Sequence, residues 1–537
     1  MKRLMLLGVV LCLIIGTMAV AETEVPQTPN ATPGGTLTIG ISQTVQNLDP
    51  RIGKGNYDRI IISNIFDPLF SKDSKTLAPV PYVASGWEIN EAGTEITFYL
   101  NEGITFHNGE ALTAEDVAYT FNWIANPDNG SPNQLEFDWL QEVAIVDDYT
   151  VIFKVKPEKA PFPPLFAGET WNIVPKDTVE KMGTEAFALH PIGSGPYKFV
   201  KWIPGDKVVL ERNEDYWLVR PNLDMVVFRA IPETATMMAE LEAGGIDVAD
   251  TIQATDVERF RVMDQIEVQQ TPSVLYYYLA FNHSHLPGSD YRFRQALSQG
   301  VDWDGAVFSV FRGITATRMY GALAPTIWAN DREYLKENVT LPYDPNTAAN
   351  LFAELKAEGV FPTDRPIRIL TPLDSDRVTL GEITATVLKE NGINAEVQPL
   401  DWGPILDTIY RSEADPLGES FDMYIMGQGV GPDPYYYLDF LFNTNQAIIG
   451  TPNNKSWYSN VAADVLLNAA AQTFDQEKRE ELYKQAQRII FTDIAHIPLY
   501  TKQNTQGIST RVHDFTTSAI SSRMDLCTPF NNVWVEE

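Results

Sequence analysis

The sequence predicts an α/β chain of about three domains, with a mixed α+β first half and a later region built on a parallel sheet. Three observations carry this prediction. From Pro366 onward, short apolar runs and amphipathic stretches follow one another as strand, helix, strand, helix, strand. Upstream, segments of alternating apolar and polar residues are divided by turn signals such as Asn108-Gly109 and Pro204-Gly205-Asp206. The chain has 537 residues, 44% of them hydrophobic, which is enough to bury several cores.

The chain opens with Lys2 and Arg3, then an apolar run that ends in Ala19-Val20-Ala21, the small-x-small pattern of a signal-peptidase site. Residues 1–21 are therefore expected to be a cleaved signal peptide. Leu11 stands where a lipoprotein signal needs a small residue before Cys12, so lipidation is not expected. An uncleaved anchor is the alternative, although Leu4 to Val20 is short for a full span. Residues 22–33, rich in Pro, Thr and Glu, read as a disordered lead-in.

The fold then begins with the strand pattern GGTLTIGIS. Ile96, Phe98 and Leu100 alternate up to a turn at Asn101-Glu102-Gly103, and Ile104 and Phe106 continue the pattern, which predicts an antiparallel hairpin. In ALTAEDVAYTFNWI, Thr113 and Asp116 are spaced as a capping box, with Val117, Phe121 and Ile124 on one helical stripe. Val151, Phe153 and Val155 alternate again, and GPYKFVKWIPGDKVVLERN predicts a second hairpin.

Farther on, PIRIL is a short strand, and the helix after it carries Leu380, Ile383, Val387 and Leu388 on one face before it stops at Asn391-Gly392. AEVQP, the stretch Trp402 to Arg411 and FDMYIM supply the next strand, helix and strand. Right-handed crossovers would make these strands parallel. Ligands in such sheets lie beyond the carboxyl ends of the strands, which here are TPLDSDR from Thr371, Leu400-Asp401-Trp402, and GQGVGPDPYYY from Gly427. In the last of these, three alternate glycines let a backbone turn tightly and a ligand approach its amides, and three tyrosines offer faces for stacking. The other reading of that stretch is a turn whose tyrosines pack on a neighbouring domain.

The formal charge is -31, and 38 basic against 71 acidic residues remain once Lys2 and Arg3 are removed, a net of -33. Nucleic acid is an unsuitable partner for such a chain, because phosphate binding needs a basic footprint. With Cys12 removed, Cys527 is alone and no internal disulfide can form. Hydrolase tools are missing: Gly193-Ser194-Gly195 has the wrong spacing for a nucleophile elbow, and there is no H-E-x-x-H, P-loop or paired C-x-x-C. GQGVG is no dinucleotide fingerprint, since its third glycine comes one residue early and no helix pattern begins there. His283 and His285 share a face of an extended segment, but no third residue completes a metal set, so no metal or other cofactor is expected.

Several blocks carry a resemblance: GGTLTIGI, PYVASGWEINEAGTEITFYLNEGITFHNGEALTAEDVAYTF, GSGPYKFVKWIPGDKVVLERNEDYW, AELEAGGIDVAD, YYLAFNHSHLPGSDYRFRQALSQGVD and IPLYTKQN. Together they resemble the peptide/nickel-type, family 5 extracellular solute-binding proteins of ABC importers, almost from end to end. The resemblance implies a two-lobed periplasmic-binding-protein fold of the three-domain, cluster C type, a hinge between the lobes, and no catalysis. Domain I would comprise residues 34–66, 193–281 and 503–537, an inserted domain II residues 67–192, and domain III residues 282–502. The hinge would lie near Tyr278 to Phe281 and Leu499 to Lys502. Phe106, His107, Asn108, Gly109, Thr113 and Asp116 read as structural turn and cap residues. The implied partners are a small solute and a membrane permease, with the protein itself a periplasmic or secreted monomer.

The expected ligand contacts follow from these loops. Gln43, Thr44 and Val45 lie just past the opening strand, where family members touch the ligand with backbone. Trp139 is the aromatic expected from domain II. Ser375 and Arg377 lie on the TPLDSDR loop, Arg377 as a partner for a carboxylate, and Trp402, Gln428, Gly429, Val430, Tyr435 and Tyr436 complete the rim. Peptide-binding relatives hold the free amine with an aspartate shortly before the Asp433-Pro434 equivalent. That position is Val430 here, and the tryptophan often found three residues earlier is Gly427. A buried ammonium without a carboxylate is costly, so an uncharged solute such as an oligosaccharide is expected. A peptide held differently is the alternative, with a metal chelate, opine or other small solute behind it, or a sensory role without transport.

Overall fold

A computed structural model describes residues 33–72, 77, 79–156, 171–410, 420–429, 431, 433–449, 452–473, 475–528 and 531–536. The expectations for residues 1–32 and for Val430 fall outside these, as does any statement about the side chain of Trp402.

One long strand, His496–Ser509, organises the molecule. Its first half pairs antiparallel with Tyr276–Phe281, and its second half with Ile266–Pro272 and Val248–Ala249. On one side the sheet continues through Met423–Gln428, Ile367–Pro372 and Ala395–Leu400; on the other, through Thr36–Ile41, Met225–Ala230, Lys207–Arg212 and Tyr197–Ile203. The three later strands are parallel to one another, as the strand-helix alternation predicts. Thr36–Ile41 is likewise parallel to Met225–Ala230 and Val248–Ala249. Pairing with a common strand fixes directions: both parallel sets point their carboxyl ends towards the middle of His496–Ser509, and therefore towards each other. This is the arrangement of two lobes facing across a cleft.

The chain passes between the lobes twice in the strands described so far. One passage runs Ile266–Pro272 to Tyr276–Phe281, and the other is the middle of His496–Ser509. At the gap between the first two strands, Ser273 donates its backbone N–H to Lys502 O at 2.9 Å, and its hydroxyl meets that of Thr501 at 3.1 Å. The register slips between Tyr277 and Tyr278, beside a stack of Tyr277 on Tyr500 at 4.4 Å.

A separate antiparallel sheet of Ala84–Ile89, Glu95–Leu100, Thr150–Val155 and Leu140–Asp147 is covered by the helix Ala114–Ala125. The capping box is present: Thr113 Oγ1 accepts from Glu115 N, and Asp116 Oδ2 accepts from Thr113 N at 2.9 Å. The expected hairpin partner is different. Glu95–Leu100 turns back on Ala84–Ile89, while Ile104 and Phe106 leave the sheet and plug the core from a loop closed at Asn108-Gly109. Both side chains are buried, so burial outweighs their strand-like alternation.

Gly193 and Gly195 explain the Gly-Ser-Gly that resembled a nucleophile elbow. A Cβ on Gly193 would stand 2.0 Å from Ile65 O, and one on Gly195 2.7 Å from Ile65 C, so the segment abuts the end of the helix Asn56–Ile65. His107 bridges to it: its Nδ1 accepts from Gly193 N at 3.3 Å and its Nε2 donates to Gly195 O at 3.0 Å. Asn108, Gly109, Thr113 and Asp116 are likewise spent on turn and cap.

Candidate functional site: the interlobe cleft

The rim of the later lobe is built where its three parallel strands end. Pro372 leads through Leu373 and Asp374 into the helix Ser375–Glu390, Leu400 through Asp401 into Trp402–Ile409, and Gln428 through the glycine loop into Tyr435–Phe442. The last helix was not expected. The tyrosines that read as a loop floor form its first turn, and Pro434 precedes them with φ already helical at -52°.

This places the three tyrosines differently. Tyr437 is buried, and its hydroxyl lies 2.8 Å from Val274 O and 2.9 Å from Gly431 O, so it ties the loop to the inter-lobe passage. Tyr435 and Tyr436 are half-buried, edge-to-face with each other at 5.7 Å and with Phe440 at 5.3 and 5.0 Å. Their hydroxyl pKa values are pushed up, first by burial and then by acids that include Asp433, together with Asp138 and Glu136 from the segment that precedes Leu140–Asp147. These two rings are thus the less buried of the three and lie within electrostatic reach of Asp138 and Glu136.

The glycines have a different role from the one their spacing suggests. Gly427 pairs with Tyr277 in the sheet, and a Cβ there would press on the Tyr277 ring at 2.8 Å; at Gly429 it would meet Leu275 Cδ2 at 2.2 Å. They allow the strand to approach the passage closely. Gly431 alone of the three has a φ that requires glycine, 145°. Gln428 is half-buried and its amide donates to Tyr436 O at 3.3 Å.

One expected contact, Trp139, is corrected, and Arg377 has an ion-pair partner of its own. Trp139 is only 2% exposed, packs against Phe137, Phe153 and Trp171, and donates its indole N–H to Glu136 O at 2.9 Å. It is a core residue, because a ring flanked by three others buries more apolar surface than a ring offered to a cleft. Arg377 pairs with Asp374 one turn away and lies 5.7 Å over the Tyr277 ring, so its charge is already matched. Ser375 is exposed at the helix start. Its neighbour Asp376 anchors that start to the passage, accepting from Tyr500 OH at 2.8 Å and from Lys502 Nζ at 3.0 Å.

On the facing lobe, Gln43 is exposed, Thr44 half-buried and Val45 buried. Next to them is a network the motif search passed over. Asp250, at the end of Val248–Ala249, accepts at Oδ2 from both Ser42 N, 3.1 Å, and Ser42 Oγ, 3.0 Å, and the hydroxyl of Tyr57 bonds that of Ser42. Burial, chiefly, holds the Asp250 carboxyl above its usual range. The available signal was its position, just after a strand in AELEAGGIDVAD.

The histidine pair is structural: His283 Nε2 donates to Ala495 O at 2.9 Å, and His285 Nε2 to Phe421 O at 3.2 Å. Among the described residues no group of three His, Cys, Asp or Glu could hold a metal, and no helix is long and apolar enough to cross a membrane.

The sequence profile of the bacterial extracellular solute-binding proteins, family 5 (middle region), matches residues 78–448. The chain belongs to this family. Family 5 proteins bind a small solute outside the cytoplasmic membrane and deliver it to an ABC permease. Among relatives, the probable D,D-dipeptide-binding periplasmic protein DdpA of Escherichia coli is 27% identical over 513 residues, 92% of this chain and 94% of that protein. The dipeptide-binding protein of the same organism is 27% identical over 437 residues, 77% of this chain and 79% of that protein. The solved structure of HbpA2 from Haemophilus parasuis superposes with a TM-score of 0.82 at 24% identity, covering 94% of this chain and all of that one. It shares the two-lobed fold.

Proposed function

We propose that this family 5 protein captures a short peptide between its lobes and delivers it to an ABC permease, with no bond made or broken. The observation that supports the reading is the convergence of two sets of strand ends towards the middle of His496–Ser509; in this proposal Tyr435 and Tyr436 line one side of the cleft and the Ser42–Asp250 network the other. The expectation of an oligosaccharide gives way to its alternative. Two relatives named for dipeptides span most of the chain, and the stacking surface is smaller than the sequence suggested, since Tyr437 and Trp139 belong to cores.

The amine is held differently from the family pattern. Asp433, the one carboxylate of the tyrosine loop, is engaged by Arg479. A ligand that bonds both lobes gains its full binding energy only when they close, which shifts the population to the closed form that a permease would recognise. Going from mostly open to mostly closed takes about 5 kcal/mol of differential binding. The proposed architecture keeps the sequence-derived division: domain I of residues 34–66, 193–281 and 503–537, domain II of 67–192 and domain III of 282–502, acting as a monomer outside the cytoplasmic membrane.

A thermal-shift panel of dipeptides, tripeptides and oligosaccharides on the mature protein tests the proposal. Stabilisation by di- or tripeptides at micromolar concentration is expected. Stabilisation by sugars alone would overturn it.

A further inference from the structure

The long strand His496–Ser509 has an edge that opens away from the cleft. The short strand Ala316–Arg318 pairs with it from Lys502 back to Tyr500 and stops there. Beyond that point residues 496–498 pair with residues 278–280 on their other side, and a cavity of about 430 Å³ lies against the edge that is left. At about 3.3 Å per residue, Ile497 is roughly 17 Å along the strand from Lys502, where the chain passes between the lobes. The lining residues all fall between Ser298 and Pro498, so the cavity belongs to the later lobe alone. Its charged groups are engaged or in water. Arg318 donates from Nε to Asp304 Oδ1 at 3.0 Å and from Nη1 to Met319 O, Pro498 O and Leu499 O. Asp302 caps the helix Trp303–Phe311, accepting from Gly305 N at 2.9 Å, and Lys336 and Glu337 are exposed.

The buried apolar wall, Val301, Phe491, Ile494 and Ile497, carries two polar side chains left unanswered. Trp303 is 5% exposed, and its indole N–H, which can only donate, has no acceptor among the described residues. His496 is 1% exposed and stacked on Tyr278 at 4.4 Å, and neither of its ring nitrogens has a partner among those residues. Burial, chiefly, keeps that ring uncharged, so it brings one donor and one acceptor. Leaving such groups dry is costly, and a matching ligand recovers the cost. Apolar walls with a few polar groups among them are the make-up of small-molecule sites. An ion is the wrong occupant, because the unanswered groups are neutral and a buried charge would find no counter-charge in them. What they match is an acceptor and a donor carried together on an apolar body. We propose that this cavity binds a small neutral amide with an apolar body, its carbonyl oxygen accepting from the Trp303 indole N–H and the His496 ring as the second polar contact. The site does not depend on what the interlobe cleft holds.

Magnetic resonance of the mature protein, labelled with nitrogen-15 in its tryptophans, tests this together with calorimetry. The Trp303 indole signal is the one missing from Trp303→Phe, which keeps an aromatic ring and removes the donor. The probes are N-benzylacetamide, phenylacetate and benzylammonium, which share a benzyl group and differ in charge. N-benzylacetamide is expected to move the Trp303 indole proton downfield, saturably, and to bind at least about tenfold tighter than either charged probe. Its affinity should fall several-fold in Trp303→Phe. Leu341→Trp fills the cavity from a half-buried position and leaves Trp303 and His496 in place; it should lower the affinity at least about tenfold. The assignment is overturned by a Trp303 signal that does not shift, by a charged probe bound more tightly than the amide, or by unchanged amide affinity in Leu341→Trp. Displacement of the amide by a dipeptide held in the cleft would overturn it too, by making the two sites one.

Discussion

Arg479 holds Asp433 in a two-pronged ion pair, Nη2 to Oδ1 at 2.9 Å and Nη1 to Oδ2 at 3.1 Å, with both side chains buried. Asp433 Oδ1 also accepts from Tyr435 N at 3.0 Å, so the pair sets the start of the aromatic helix. Removing one partner strands the other charge. Arg479→Met should cost about 3–5 kcal/mol in urea unfolding, and Asp433→Asn a comparable amount. Loss of peptide affinity in Asp433→Asn without loss of stability would instead make Asp433 a ligand group.

The glycines of the same stretch predict a second effect. Gly427→Ala drives a methyl group into Tyr277, which is already stacked on Tyr500 and has little room to yield. Overpacking there should cost about 1–3 kcal/mol. Equilibrium unfolding measures the cost, and an unchanged midpoint would show that the ring moves freely.

His107 predicts a pH effect. Burial, chiefly, pushes its pKa down to about 4 from an ordinary 6.5. Between those values the unfolded chain takes up a proton that the folded chain refuses, so the stability contributed by the neutral ring is present above pH 6.5 and is lost as pH falls towards 4. By pH 5 the loss is about 2 kcal/mol. Asp67 and Asp439, raised by burial to about 6 and about 8, work in the opposite sense. The test is therefore a difference: on going from pH 7 to 5 the melting temperature of His107→Gln should fall less, or rise more, than that of the native protein. Parallel curves would refute it.

The cap at Thr113 predicts an effect confined to stability. Thr113→Ala removes the acceptor for Glu115 N and should cost about 1 kcal/mol. Dipeptide affinity, measured by calorimetry on the folded variant, should not change.

How much of this could be read from the sequence depends on how local each signal is. The capping box of Thr113 and Asp116, the hairpin at Pro204-Gly205-Asp206 and the parallel strands after Pro366 all rest on residues a few positions apart, and all are present. The helix Tyr435–Phe442 was missed because Tyr435, Tyr436 and Tyr437 show no apolar-polar period. Its start depends on Arg479, 46 residues on from Asp433. Trp139 was misplaced for a similar reason: an isolated tryptophan carries no sign of whether three other rings will enclose it. Asp250 acquires its setting only when Ser42 comes beside it from over 200 positions away.

The central claim is that two lobes close on a solute held between facing strand ends. Small-angle scattering of the mature protein, before and after saturation with a dipeptide whose binding is confirmed by calorimetry, tests it most directly. The account predicts a smaller radius of gyration on binding. An unchanged scattering curve at full saturation would contradict it.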